Sequence, residues 1–104
     1  MFRHISMYTL EENPAGGRTK AECLQTLKEM LDKLPETEPT IVNSVIGVGL
    51  GGPPGVPGFY DIAQIIDFAS MEDCMAYPMT KGHGDLVEFG KGVIKDVAII
   101  DFEF

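Results

Sequence analysis

The order of strand-like and helix-like segments constrains this chain more than any single motif. Two stretches rich in β-branched and aromatic residues, Phe2–Leu10 and Ile41–Val48, flank a helical stretch that runs from Thr19 to about Leu34. A strand over Phe59–Ala69, a second helical region and a last strand over Asp96–Phe104 follow. The order β-α-β-β-α-β predicts a ferredoxin-like α+β protomer, with four antiparallel strands and the helices on one face of the sheet.

Capping patterns mark where the helices should begin. Thr19 is followed three residues later by Glu22, and Ser70 by Asp73. Both pairs are typical of a helix N-terminus, where the first side chain accepts a bond from a backbone amide. Pro35 is predicted to stop the first helix, because proline inside a helix removes a hydrogen bond and clashes with the preceding turn.

The second helical region is predicted to be interrupted. The short helix should run through Tyr77, where Pro78 disturbs it, and His83 follows between two glycines. His83 is therefore expected in an irregular segment, with a further helical stretch over Asp85–Val93. The Gly- and Pro-rich stretch Gly49–Gly58 is expected to be a long surface loop.

Composition is that of a small globular domain spanning residues 1–104, with 44% apolar and 23% charged residues. The formal charge of −8 argues against nucleic-acid and anionic-membrane partners, since both require clustered Lys and Arg. No run approaches 18 apolar residues and the N-terminus lacks a signal-peptide pattern, so we expect a cytoplasmic protein. Cys23 and Cys74 have no CxxC spacing and are expected to be reduced thiols.

The predicted strands are apolar on both faces. In the last strand, Val97 and Ile99 point to one side, and Ile100 and Phe102 to the other. Helices can cover only one face of such a sheet, and the other would expose a larger apolar area than a monomer in water tolerates. We therefore expect a homodimer formed sheet against sheet.

Four polar side chains share the face that the helices should cover: His4, Ser6, Tyr8 and Gln64. They have the same parity as Ile66, a clear core position. Burying polar groups is costly unless they are hydrogen-bonded. The pattern predicts either a polar-lined cavity whose side chains orient a ligand, or an internal network that holds strand register.

Tyr77 and His83 are the candidate catalytic residues. An imidazole titrates near neutral pH and can take a proton from a carbon acid, while a phenol can donate to the developing oxyanion. The structural alternative is that His83 bonds a backbone carbonyl and Tyr77 only packs. His4, His83 and Asp85 lack the spacing of a metal site, so we expect neither a metal nor a cofactor.

Three blocks, Phe2–Ile5, Phe59–Ser70 and Asp96–Phe102, resemble the stress-responsive α/β-barrel (Dabb) family, with His83 at a matching distance between the last two. The resemblance covers essentially the whole chain. It implies a ferredoxin-like protomer that pairs into a dimeric α+β barrel. In a plant polyketide cyclase of this family, a histidine after the second helix and a tyrosine six residues earlier flank a cavity in each protomer. They act there as general base and partner in an aldol closure.

By position, the resemblance implies these roles for His83 and Tyr77, with His4 as a further cavity residue. Two departures stand out. The family's frequent His-Pro-x-His run is replaced by a Thr-Lys-Gly-His run ending at His83. Leu27 and Ile62 occupy the positions where the cyclase has a tyrosine and a histidine.

The expected function is small-molecule binding in a pocket between sheet and helices, with a cofactor-free lyase or cyclase-type reaction on an oxo or phenolic substrate. The ligand-binding residues are expected to be His4, Ser6, Tyr8, Gln64, Leu27 and Leu86. The alternative is a non-catalytic, stress-related or ligand-sequestering homodimer in which His83 is structural.

Overall fold

A four-stranded antiparallel sheet with helices packed on one face forms the protein. The computed structural model describes all 104 residues. The strands are β1 (Phe2–Leu10), β2 (Ile41–Val48), β3 (Ile62–Phe68) and β4 (Ile94–Glu103). The helices are α1 (Lys20–Thr37), α2 (Met71–Ala76) and α3 (Lys81–Gly90). The predicted ferredoxin-like order is confirmed. None of the three helices combines the length and apolarity needed to cross a bilayer.

The strand order β2-β3-β1-β4 places β1 and β3 in the centre and leaves β2 and β4 as edges. The register aligns residues of one parity across the sheet. Ser6 lies opposite Gln64 on β3 and Ile99 on β4. Tyr8 lies in the next row, opposite Ile62 and Val97. The face to which these side chains belong carries the helices and is called the covered face.

The core lies between the covered face and α1. Apolar residues recur along α1 at three- and four-residue steps, which puts Cys23, Leu27, Leu31 and Leu34 on one buried stripe with exposures of 5% or less. Burying a leucine of this kind stabilises the fold by about 1.5–3 kcal/mol.

The prediction that α1 stops at Pro35 was wrong, because the helix continues to Thr37. Pro35 lies in the last turn, where the loss of its own amide removes little of the remaining hydrogen bonding. The end is instead set by Leu34, whose carbonyl accepts bonds from the Glu38 amide at 3.0 Å and the Thr37 hydroxyl at 3.3 Å.

Two strand boundaries also differ from the prediction. Strand β3 begins at Ile62 rather than Phe59, because the Phe59 ring packs closely over the backbone of Gly52 within the preceding loop. Strand β4 begins at Ile94 rather than Asp96, because Ile94 pairs with Leu10 beyond an irregularity in the ladder.

The placement of His83 in an irregular segment was wrong. After a 3₁₀ turn over Tyr77–Met79, α3 begins at Lys81 and has His83 in its first turn. Two acceptors cap this helix. The Thr80 hydroxyl accepts the His83 amide at 3.3 Å, and the Glu38 carboxylate, distant in sequence, accepts the Gly82 amide at 3.1 Å. The helix ends at Gly90 instead of Val93.

The face opposite the helices, called the open face, is apolar as predicted. It carries Ile5, Met7, Ala63, Ile65, Ala98 and Ile100, with Val45 on the β2 edge. Val45 and Ile100 are 61% and 57% exposed.

One ion pair interrupts the open face. The Arg3 guanidinium holds the buried Asp67 carboxylate through bonds of 2.7 and 3.0 Å, and Asn43 adds a third at 3.2 Å. The guanidinium also lies 4.6 Å from the centre of the Phe104 ring. These contacts hold the ends of β1, β2 and β3 together.

Candidate ligand-binding site

A cavity of about 340 Å³ opens between α3, α1 and the covered face at the β4 edge. Its volume falls in the range of small-molecule sites. Helix α3 and the residue that follows it supply one wall, with His83, Leu86, Val87, Gly90 and Lys91. These residues recur at steps of three and four, so they occupy one helix face over two turns, about 12 Å of wall.

The sheet and α1 supply the remaining walls. Tyr8 reaches in from β1, Val97 and Ile99 from β4, and Leu27 from α1. Most of this lining is apolar. The lining residues with polar side chains are Tyr8, His83 and Lys91, and the Lys91 ammonium lies 2.8 Å from the Glu88 carboxylate. Burial raises the pKa of the Tyr8 hydroxyl above its ordinary value of 10.0, although the nearby Ser6 hydroxyl offsets part of this.

The His83 imidazole is the group best placed to meet a ligand. Its ring packs edge-on against Tyr77, with centroids 5.2 Å apart and planes at 80°. The residue's capping bond uses its backbone amide, and neither ring nitrogen is hydrogen-bonded to another group of the chain. Burial, aided by the charge of His4, lowers the pKa of His83 below 6.5. The lowered pKa favours the neutral form of the ring near pH 7.

Tyr77 stands behind His83 and does not line the cavity. It is 2% exposed and packs between the two imidazoles of the chain, with the His4 centroid also 5.2 Å away. The Gln64 amide donates to its hydroxyl at 3.4 Å. Burial raises the pKa of Tyr77 to about 12, so the phenol keeps its proton throughout the neutral range.

Ser6 and Gln64 form an internal network. The Ser6 hydroxyl donates to the Gln64 side-chain oxygen at 3.1 Å, and both residues are fully buried. No buried side-chain nitrogen or oxygen in the chain lacks a partner. The two alternatives for the polar set thus apply to different members. Ser6 and Gln64 bond internally, whereas Tyr8 faces the cavity.

His4 forms a pair that sequence analysis missed. Its Nδ1 lies 2.7 Å from Oδ1 of Asp101, directly opposite on β4. Asp101 also affects the buried Cys74 thiol. Burial raises the pKa of that thiol, and the charge of Asp101 adds to the shift. Only the β1–β4 register reveals that Asp101 and His4 are neighbours.

Of the predicted residues, four line the cavity: His83, Tyr8, Leu27 and Leu86. The others, Tyr77, His4, Ser6 and Gln64, lie behind its wall. Among the lining residues missed from the sequence, Lys91 could have been found by extending the helical stripe eight residues from His83. No group of three or more His, Cys, Asp or Glu side chains is placed to hold a metal. Asp85 instead pairs with Lys81 at 2.9 Å.

The sequence matches the family model described as Stress responsive A/B Barrel Domain (Dabb) over residues 2–104. The chain belongs to the Dabb family. No curated protein matches the chain significantly.

Solved structures that resemble this Dabb chain show the same fold. A dimeric protein of unknown function and ferredoxin-like fold from Bacteroides fragilis is 21% identical, with a TM-score of 0.79 over 99% of this chain and 95% of its own. A dimeric ferredoxin-like protein of unknown function from Thermobifida fusca is also 21% identical, with a TM-score of 0.77 over 99% and 90%. A hydroxynitrile lyase from Passiflora edulis is 13% identical, with a TM-score of 0.75 over 97% and 90%.

Proposed function

We propose that this Dabb protein is a homodimer that binds a small oxo or phenolic compound in the cavity between α3 and the sheet. The observation that carries the proposal is the His83 imidazole, whose ring nitrogens make no bond within the chain and which lies in a cavity lined mostly by apolar side chains. An apolar pocket with a few convergent polar groups is the usual form of a small-molecule site.

The lining defines the ligand's chemistry. The walls from Leu27, Leu86 and Val97 suit an apolar body such as an alkyl chain or an aromatic ring. A neutral imidazole can accept a proton or a hydrogen bond from a phenol, an enol or a carbon acid next to a carbonyl. In this proposal, His83 is the residue that hydrogen-bonds to the polar end of the ligand.

A cofactor-free lyase or cyclase-type reaction is the catalytic form of this proposal. His83 acts as the base that removes a proton next to a carbonyl, and the Tyr8 hydroxyl on the opposite wall is a donor for the oxyanion. Tyr77 supports the His83 ring from behind. The similar fold of a hydroxynitrile lyase supports this form of the proposal by analogy of fold.

Binding without turnover is the second candidate, and a specific observation favours it. Tyr77, the expected catalytic partner, has its hydroxyl directed to Gln64 and lies outside the cavity lining. By the family resemblance, Leu27 and Ile62 stand where a polyketide cyclase has a tyrosine and a histidine, so they add no polar atoms here. In this form the protein sequesters its ligand.

The homodimer is proposed to form through the open face. Its apolar side chains are exposed in the protomer, and similar structures are described as dimeric. Packing two such faces together would remove this area from water at about 25 cal/mol per Å². The part-buried Arg3–Asp67 pair already satisfies its own charges at the end of that face.

Thermal shift measurements with matched ligand pairs test the proposal. We would compare 4-alkylphenols, methyl ketones and 3-oxo acids with the hydrocarbons of the same shape, using wild type and His83→Phe. Phenylalanine keeps the packing on Tyr77 and removes both nitrogens. A ligand at about 100 times its Kd adds about 2.7 kcal/mol of stability, which is readily measured.

The proposal predicts that at least one polar ligand stabilises wild type more than its hydrocarbon partner, and that His83→Phe removes the difference. If no polar ligand outperforms its hydrocarbon, or if a folded His83→Phe variant keeps the preference, the site is not built around His83. Product detection by mass spectrometry for the stabilising ligands then separates catalysis from sequestration.

A further inference from the structure

The β2–β3 loop, residues 49–61, exposes apolar side chains and carries little charge. Its first eleven residues, Gly49–Phe59, contain no charged side chain in a protein of net charge −8. Leu50 is fully exposed, and Val56 and Phe59 are each 51% exposed. These eleven residues also include five glycines and three prolines, and the Phe59 ring packs over Gly52 within the loop.

The ligand cavity is incomplete on one side. Its mouth lies along β4, an edge strand, where Val97 and Ile99 line the cavity yet remain 50% and 58% exposed. Val87 on the opposite lip is 54% exposed. A ligand bound there would leave part of its apolar surface in water.

The loop and the mouth lie at the same end of the sheet but on opposite edges. The loop leaves β2 after Val48, which shares a row of the sheet with Ile62, Tyr8 and Val97. Strands β2 and β4 are three positions apart, about 14 Å, and no residue of the loop lines the cavity of its own protomer. The β2–β3 loop of a protomer therefore does not cover the cavity mouth of the same protomer.

Two-fold packing of the open faces allows two aligned arrangements. An axis across the strands brings each loop to the partner's opposite end, where the Arg3–Asp67 ion pair and the chain termini lie. An axis along the strands brings each β2 edge, with its loop, beside the β4 edge of the partner. The uncharged apolar loop matches the apolar mouth and not the charged end. The second arrangement also covers the free edges of both sheets.

A groove under the loop fits the same arrangement. It has a volume of about 320 Å³ and lies between the loop and the open face, where Phe59, Met7 and Ala63 line it. Contacts in a two-fold dimer are reciprocal. When the loop of one copy covers the cavity mouth of the other copy, the β4 strand of that other copy packs against this groove. It does so with the side that carries Ile100.

We infer that the β2–β3 loop of one copy covers the mouth of the ligand cavity in the other, so that each binding site is completed by its partner. This inference rests on the homodimer and the ligand site of the proposed function. It adds Leu50 and Val56 of the second copy to the apolar walls.

A disulfide across the two copies tests the contact. Leu50→Cys combined with Val97→Cys should give a covalent dimer on mild oxidation, while each single variant should not. Cysteines within one protomer at these positions are too far apart to join, because a disulfide requires Cα atoms within about 7 Å. The native thiols, Cys23 and Cys74, are at most 2% exposed and stay out of the reaction.

Light scattering on the reduced double variant separates the possible failures. A non-covalent dimer that yields no cross-link overturns the loop contact and leaves the dimer standing. A monomer overturns the dimer itself, and the loop contact with it.

The ligand arm uses Leu50→Ser with Val56→Ser and the phenol or ketone that stabilises wild type most. The variant should remain dimeric and bind about 10-fold more weakly, since apolar contacts worth roughly 1.4 kcal/mol are lost. Unchanged affinity in a dimeric variant contradicts the inference. If no ligand stabilises the wild type, the proposed function has failed instead.

Discussion

The covered face and the open face arise from the same alternation of residues along the strands, but they differ in how their side chains are packed. On the covered face, polar side chains are buried and bonded to one another, as in the Ser6–Gln64 pair, and the His83 ring is left free at the cavity. On the open face, apolar side chains such as Ile100 stay exposed and a single ion pair satisfies itself. The core of the covered face is closed within the protomer, whereas the open face exposes its apolar side chains.

The difference shows how to read burial in a small domain. An exposed apolar face is typical of an interface with another molecule, whereas an unbonded polar group beside an apolar cavity is typical of a ligand site. Damage to the open face should weaken the proposed dimer, whereas damage to the His83 wall should weaken ligand binding and leave the dimer intact.

The largest expected effect is on the open face. Ile100→Asp places a charge in the proposed dimer interface, where an unpaired carboxylate is strongly unfavourable, and should raise the dimer dissociation constant about 100-fold or more. Ile100 is 57% exposed in the protomer, so the fold itself should survive. Light scattering over a concentration series measures the change. Met75→Asp, at a site 54% exposed on α2, is the matched control and should stay dimeric.

The ion pair on the open face should contribute the next largest effect. Asp67→Asn leaves Arg3 without its carboxylate and should lower the free energy of unfolding by about 2–3 kcal/mol in urea at pH 7. Asp32→Asn removes an exposed pair with Lys28 and should cost less than about 0.5 kcal/mol.

The cost of Asp67→Asn should depend on pH. The Arg3 bond holds the pKa of Asp67 below its ordinary 3.8. The folded state thus keeps the carboxylate charged longer than the unfolded chain does, and this stabilisation is present above pH 3.8 and lost as pH falls through the depressed pKa. Wild type and Asp67→Asn should therefore converge in stability in acid. A constant difference down to pH 2 would contradict the role given to the pair.

Two helix caps distinguish stability from site geometry. Thr19→Ala and Thr80→Ala each remove a hydroxyl that accepts a bond from a backbone amide, and each should cost about 1 kcal/mol in unfolding free energy. Only Thr80 fixes the turn that carries His83. Ligand affinity should therefore fall in Thr80→Ala and stay constant in Thr19→Ala. Equal affinities for the two variants would show that the cap does not position the ring.

The smallest expected effect is electrostatic. NMR titration of the ring protons should place the pKa of His83 below 6.5, because burial and the charge of His4 both disfavour its protonation. His4→Gln removes the second cause and should move the pKa upward. The folded state takes up this proton less readily than the unfolded chain, so stability due to His83 is complete above pH 6.5 and declines as pH falls. A pKa above 6.5 would contradict the partly desolvated setting.

More of the fold than of the candidate site could be predicted from the sequence. Alternation and segment order were enough for the strands and their facing, because both depend on local periodicity. His83 was misplaced because one of the caps on its helix comes from Glu38, 44 residues away. The His4–Asp101 pair depends on the β1–β4 register, which the sequence of either strand alone does not contain. Tyr77 was correctly expected near His83, but the side of the ring on which it packs follows from tertiary packing.

The most direct test of the account is an NMR titration of the two histidine rings with the phenol that stabilises the protein most. Because the chain has only two histidines, His4→Gln assigns both signals. The account predicts that the ligand shifts the His83 ring resonances at saturation and changes those of His4, which is held by Asp101 behind the wall, far less. A ligand that stabilises the protein without moving the His83 signals would place binding elsewhere and contradict the central claim.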